Sequence, residues 1–294
     1  MHAPKDFGTA FFVGIALNLG FVLIEVIYGL MANSVALVAD AGHNLGDVLG
    51  LGMAWVATVL ARRAPSQTHT YGLRRGTILA ALANAMLLLM AVGAIAVEGV
   101  RRLVDPVTVA STTVMVVAAL GMIINGLTAW MFASGRHGDI NLRAAFLHMA
   151  YDALISLGVV VAGGVIFLTG WTRLDPLVSL AIAGVILAGS WSLLRESVGM
   201  SLDAVPARLK PEEVSTYLKL QPGVTALHDL HIWPMSTTET ALTCHLVMPG
   251  GHPGDAVLAE LAHELLERFG IGHATIQVEV DEHVACALEP DHVV

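Results

Sequence analysis

Residues 34–61 read SVALVADAGHNLGDVLGLGMAWVATVLA. The run is long enough for a helix to cross the hydrocarbon core of a bilayer, which takes about 20 residues. It nevertheless carries His43 and Asp47, one helical turn apart and therefore on one face. An ionisable side chain at that depth costs several kcal/mol unless it is paired or hydrated. The stretch thus predicts a membrane span and a polar site inside it.

Five further apolar runs surround this one, over 8–31, 76–100, 110–133, 142–169 and 175–197. The run at 8–31 is too long for a signal-peptide core and reads as a first span. Charged and turn-forming residues separate the runs: Arg62-Arg63-Ala64-Pro65, Arg101-Arg102 to Asp105-Pro106, Ser134-Gly135-Arg136, and Asp175-Pro176. Composition agrees, with 55% hydrophobic and only 13% charged residues, against about 25% charged in soluble domains.

Six spans place both chain ends on one side. Lys5, Arg62, Arg63, Arg74, Arg75, Arg136, Arg143 and Arg195 share that side, while Arg101, Arg102 and Arg173 lie opposite. The positive-inside rule therefore predicts cytoplasmic termini. The transmembrane domain is expected over 1–205.

After Asp203-Ala204-Val205-Pro206 the chain turns polar and acidic. A helix is predicted over 211–221, strands over 226–233 and 238–248, a helix over 254–269 and a strand over 273–280. This α-β-β-α-β order predicts a small α+β, ferredoxin-like cytoplasmic domain over 206–294. A net charge of −9 without a basic cluster argues against nucleic acid. None of the three lysines follows a glycine, so no phosphate-binding loop of the nucleotide-hydrolysing kind is present. Two isolated cysteines, Cys244 and Cys286, do not make a disulfide framework or a CxxC pair.

The fifth span repeats the pattern of the second. His148 and Asp152, within FLHMAYD, form another His-x-x-x-Asp pair. One such pair could be an intrahelical hydrogen bond or a packing contact. Two copies with the same spacing, on two helices, point to a shared site. Two imidazoles and two carboxylates suit tetrahedral zinc, and the carboxylates cancel the charge of a divalent ion. No span contains cysteine, which disfavours Cu(I), but Cd²⁺, Co²⁺ and Ni²⁺ remain compatible with nitrogen and oxygen ligands. Asp40 lies on roughly the same face and could orient a ligand. In the polar part, His228, His245 and Glu279 fall on three strands that one sheet could bring together, with His231, His273, His283 and Cys286 as further candidates. Along the strand 226–233, His228, Leu230 and Ile232 alternate on one face, with Asp229, His231 and Trp233 on the other.

The sequence resembles the cation diffusion facilitator family, specifically its zinc-transporting branch. The resemblance rests on SVALVADAGHNLGD (34–47), TYGLRRGTILAALANAMLLL (70–89), INLRAAFLHMAYDALISLGV (140–159), DPLVSLAIAGVIL (175–187) and GVTALHDLHIWPM (223–235), in the family's order. It implies a homodimer in the plasma membrane, the inner membrane of a bacterium, and zinc efflux coupled to inward proton movement, not an enzyme. It implies that His43, Asp47, His148 and Asp152 form the transport site, and that His228, His245 and Glu279, with His273, match the ligands of a cytoplasmic zinc site. The chain departs from some relatives between spans two and three, where His69 is followed by Gly72, Leu73, Arg74 and Arg75 instead of further ligands. It also departs between spans four and five, where a histidine-rich loop shrinks to SGRHGDIN with His137 alone. An intramembrane metalloenzyme and a membrane metal sensor are the rival functions; the absence of a HExxH base in any span counts against the first.

Overall fold

The computed structural model describes residues 8–133, 140–281 and 286–288, with side chains from residue 19 onward except Leu51 and residues 140–145. His137 and His283 lie outside the described residues. Six long helices come first: α1 (Gly8–Met31), α2 (Val35–Ala61), α3 (Gly76–Val104), α4 (Ser111–Ala133), α5 (Ile140–Thr169) and α6 (Leu174–Ser201). Among the described residues, α2 through α6 are each long and apolar enough to cross a membrane, and Leu19–Met31 of α1 adds a shorter apolar stretch. Helices α3 and α6 run about a turn beyond their apolar runs. In α3 the extension carries Arg102, whose Nε donates to Glu98 Oε1 at 2.7 Å, a pair one turn apart that supports helix past the apolar edge.

The chain divides into two compact units. The first runs to Met53 and resumes over Ala83–Leu193; the second holds Ala54–Leu82 and the chain from Leu194 on. In the first unit Phe21, Leu37, Val92, Ile95, Val114, Val117, Val159 and Ile182 form a buried cluster. Large apolar side chains also point outward, among them Leu23, Trp130, Phe167 and Leu168. Exposed apolar surface on every helix is unfavourable in water and natural against lipid tails.

One cap sets the start of α2. Ser34 precedes the helix, and its Oγ accepts from the Leu37 backbone N–H at 3.2 Å. Asp175, at the start of α6, accepts from Ser34 Oγ and from the Val35 N–H at 2.8 Å. A carboxylate at a helix N-terminus satisfies donors that have no partner within the helix and favours the dipole. His43 sits two turns farther along, so this contact ties its depth to α6.

The second unit contains α7 (Pro211–Lys219), β1 (Ala226–Pro234), β2 (Thr240–Val247), α8 (Asp255–Phe269) and β3 (Ile271–Glu279). The sheet order is β1-β2-β3, with β1 antiparallel and β3 parallel to β2. Leu242, Cys244 and Leu246 of β2 turn to Val214 and Leu218 of α7 and to Leu261 and Leu265 of α8. That leaves Thr243, His245 and Val247 on the opposite face, since side chains alternate along a strand. Helix α8 ends at Gly270, whose φ of 67° is the left-handed conformation a helix terminus favours in glycine. In the same unit Arg74 meets Glu239 at 2.6 Å and Arg75 meets Asp203 at 2.5 Å. The Thr237 backbone N–H donates to Thr77 Oγ1 at 3.1 Å.

Tight helix approach near the first unit's centre is testable. A Cβ at Gly121 of α4 would stand 2.5 Å from Phe21 Cζ and 3.3 Å from Ser156 Oγ. Phe21 is a buried ring that cannot yield like a flexible chain end. Gly121→Ala is expected to cost about 1–3 kcal/mol and to lower the melting temperature in detergent by a few degrees. Adding Phe21→Leu should recover part of the loss, and strict additivity of the two changes would remove the explanation.

Candidate metal centres

In the first unit, α2 supplies His43 and Asp47, and α5 supplies His148 and Asp152. His43 Nδ1 lies 3.7 Å from Asp47 Oδ2 and its Nε2 lies 3.5 Å from Asp152 Oδ1. His148 Nε2 is 3.4 Å from Asp47 Oδ2 and 3.6 Å from Asp152 Oδ2. The two rings stand edge to face with centroids 6.2 Å apart. These separations exceed closed hydrogen bonds. They are close to the ligand-to-ligand edge of a tetrahedral zinc site, about 3.3–3.4 Å for bonds of about 2.0–2.1 Å. Asp47 Oδ2 and both Asp152 oxygens are buried and accept no hydrogen bond. Buried oxygens without donors are unusual, and a cation among them would satisfy all three.

Polar groups also back this site. Asp40, fully buried, accepts from Ser156 Oγ of α5 at 3.1 Å. Asn44 donates to Glu25 Oε2 of α1 at 3.1 Å. Both contacts link α2 to a neighbouring helix beside the His–Asp pairs.

A second cluster forms on the sheet face away from α7 and α8. The antiparallel register sets His228 opposite His245, with ring centroids 5.1 Å apart. Glu279 ends β3, opposite Val247. Its Oε1 lies 2.8 Å from His245 Nδ1 and 3.3 Å from His228 Nε2. Cys286 Sγ approaches His245 Nδ1 to 3.5 Å. One ligand atom from each of these four residues lies within 4.8 Å of the others. His228 Nε2 is buried without a hydrogen-bond partner and faces the cluster. Two imidazoles, a carboxylate and a thiol are a donor set suited to tetrahedral zinc. Burial pushes the Glu279 carboxyl up, but hydrogen bonds from Cys286 and His245 and the nearby imidazoles outweigh it and hold the group below the usual range.

Strand β1 is not the unbroken strand the sequence suggests. Its pairing passes from His228↔His245 to His231↔Thr243, so three steps along β1 match two along β2. Asp229, with φ of 51°, takes up the extra residue. This bulge puts His228 and His231 on one face and returns Ile232 to the core. His231 and His273, expected with the ligands, stand apart from the four. His231 Nε2 bonds Asp229 Oδ1 at 2.9 Å. His273 pairs with Ala241 in the register, six residues before Glu279, which is about 20 Å along a strand; its ring meets Tyr71 edge-on at 5.6 Å. His69 hydrogen-bonds Thr68 through Nδ1 at 3.1 Å.

Comparison with known proteins gives two family matches. Residues 11–200 match the cation efflux transmembrane domain, and residues 206–281 match the cation efflux protein cytoplasmic domain. The chain belongs to the cation diffusion facilitator family of cation efflux proteins. It is 36% identical to the zinc transporter ZitB of Pectobacterium atrosepticum, over 93% of this chain and 87% of that one. It is 37% identical to the metal cation efflux system protein CzcD of Cupriavidus metallidurans, over 91% of this chain and 85% of the relative. A cadmium, cobalt and zinc/H(+)-K(+) antiporter of Bacillus subtilis is 33% identical, over 90% and 86%. Among solved structures, the metal-bound C-terminal domain of the CzcD transporter shares 39% identity, covering 24% of this chain and 99% of that domain, with a TM-score of 0.23. This family member is accordingly an integral membrane transporter of metal cations with a cytoplasmic domain.

The sequence left Cys286 an open candidate, because it lies beyond the last predicted strand with no periodicity to orient it. Its behaviour is checkable. A backbone hydrogen bond at Leu288 pulls the Cys286 thiol down, but burial and the Glu279 carboxylate outweigh it, so the group rests above its usual range. Burial, reinforced by the charge of Asp229, pushes Cys244 up to about 12. Cys244 is also buried whereas Cys286 is only half-buried, so a maleimide at neutral pH should label Cys286 and spare Cys244 in the folded protein, and zinc should slow the reaction. Labelling that survives Cys286→Ser but not Cys244→Ser would overturn this placement.

Proposed function

We propose that this transporter exports zinc from the cytoplasm in exchange for protons, with the cargo held by His43, Asp47, His148 and Asp152. The observation that carries the reading is the set of donor-free, buried carboxylate oxygens facing two imidazoles across α2 and α5. Two carboxylates offset the charge of a divalent ion in a medium where an unpaired ion is costly. Imidazoles titrate near neutrality, so zinc arriving from the cytoplasm displaces protons from the site, and protons return as the ion leaves. The half-exposed His148 offers the more accessible nitrogen for that exchange. Alternating access between inward- and outward-open states completes the cycle.

The domain division fits this reading as a transmembrane part over 1–205 and a cytoplasmic part over 206–294, in a homodimer of the bacterial inner membrane. In the cytoplasmic part, His228, His245, Glu279 and Cys286 would hold a resident zinc ion as a regulatory site. Metal that binds one state of the dimer better shifts the population toward that state. Names of the relatives supply a second reading of the cargo, since one is called a zinc transporter and another a cadmium, cobalt and zinc antiporter. Nitrogen and oxygen ligands accept Cd²⁺ and Co²⁺ as well.

The test is flux into liposomes that enclose a zinc-sensitive dye, driven by an imposed pH gradient. Wild type should move zinc in step with the gradient. Asp152→Asn should lose more than the roughly 10–100-fold typical of changes outside the ligand shell. Zinc binding without flux in wild type would replace the transporter reading by a sensor.

A further inference from the structure

The four residues of the sheet cluster leave one strongly placed group unexplained. Asp229 adopts a left-handed backbone conformation, with φ of 51°. Its side chain is 11% exposed and sits between two imidazoles. Oδ1 is 2.9 Å from His231 Nε2. Oδ2 is 3.5 Å from His245 Nε2, within ion-pair range but longer than a closed hydrogen bond.

The two edges of the His245 ring do different things. Nδ1 faces Glu279 at 2.8 Å and Cys286 at 3.5 Å, the side on which the cluster converges. Nε2 faces Asp229 alone among these groups. A neutral imidazole has one protonated nitrogen and one lone pair for a metal. Binding through Nδ1 requires the proton on Nε2, and a carboxylate facing Nε2 stabilises that tautomer. Asp229 is on the far edge of the ring, so it does not ligate the same ion.

We propose that Asp229 is the positioning residue of the cytoplasmic metal site: it accepts the Nε2 proton of His245 so that Nδ1 is presented to a divalent cation. This rests on the reading that His228, His245, Glu279 and Cys286 hold such a cation. The bulge supplies the geometry, because the extra residue in β1 brings His231 back to the same face as His228. His231 donates to Oδ1 and fixes the carboxylate, while Oδ2 closes on His245 when the metal orients the ring. His231 thereby contributes to the site without touching the ion.

Full-length protein in detergent, titrated with Co²⁺ and then competed with Zn²⁺, tests this. Cobalt at the sheet site gives a thiolate-to-metal charge-transfer band through Cys286; the transport site has no sulfur and is silent in that band. Asp229→Asn and Asp229→Gly both accept the left-handed backbone, so each keeps the bulge while removing the negative charge. Each is expected to weaken Co²⁺ and Zn²⁺ binding at this site by about 10–100-fold, and His231→Ala by less. Wild-type affinity in both Asp229 variants, with the band intact, would leave Asp229 as a bulge-former only and defeat the proposal. No charge-transfer band in wild type, or one unchanged by Cys286→Ser, would instead remove the metal-site reading beneath it.

Discussion

A carboxylate at the depth of lipid tails has to face a cation or a hydrogen-bond donor, and in this chain the requirement falls on Asp47 and Asp152. Their buried oxygens accept no hydrogen bond and look toward His43 and His148. Much of the first unit can be understood as holding that arrangement. The start of α2 is fixed by the Asp175 cap from α6. Its middle is linked to α1 through Glu25 and Asn44, and to α5 through Asp40 and Ser156. Gly121 lets α4 meet Phe21 and Ser156 closely. The contacts made by α2 itself restrict how far it can slide or rotate against α5. The separation between the two His–Asp pairs is small enough that a shift of one ångström would matter to ligation.

The sheet cluster answers a related problem by another route. On a helix, residues four apart share a face, so a pair needs no irregularity. On a strand, alternate residues share a face, and neighbouring strands bring ligands together through register. His228 and His245 meet because β1 and β2 pair them directly. Asp229 departs from regular strand geometry, and aspartate is among the residues that tolerate the left-handed region best. The irregularity lies beside a candidate metal site, where bulges commonly redirect side chains.

Legibility followed the same division. The six helices could be read from apolar runs of bilayer length, and α1 and α2 begin and end within a residue of those runs. The ends of α3 and α6 could not, because hydropathy marks the edge of lipid and not the end of a helix. In the membrane, two His-x-x-x-Asp pairs suffice to pick out four residues that the fold brings together, since helical spacing is rigid. In the sheet, alternation placed His231 opposite His228, and the bulge at Asp229 reversed that. No local pattern announces a single left-handed aspartate within a strand. Cys286 was equally hard to place, because a residue past the last strand has no period to orient it. His273 has the right residue type but the wrong end of β3.

The difference in ligand chemistry between the two clusters bears on their proposed roles. A cargo site must release its ion in every cycle, so very tight binding would slow transport. Oxygen and imidazole donors that compete with protons suit that need, and the described spans contain no thiol. A resident ion has the opposite requirement, and thiolate is a softer donor that favours zinc over magnesium and calcium. Cys286 supplies it only in the cytoplasmic part. Its thiol is held above the usual range, so metal binding there must also expel a proton. On the proposed reading, an ion at the thiol-bearing cluster is held more tightly than one between α2 and α5, which has to leave in every cycle. The proposed division of tasks, one site that moves a metal and one that responds to its concentration, thus rests on which donors face the ion.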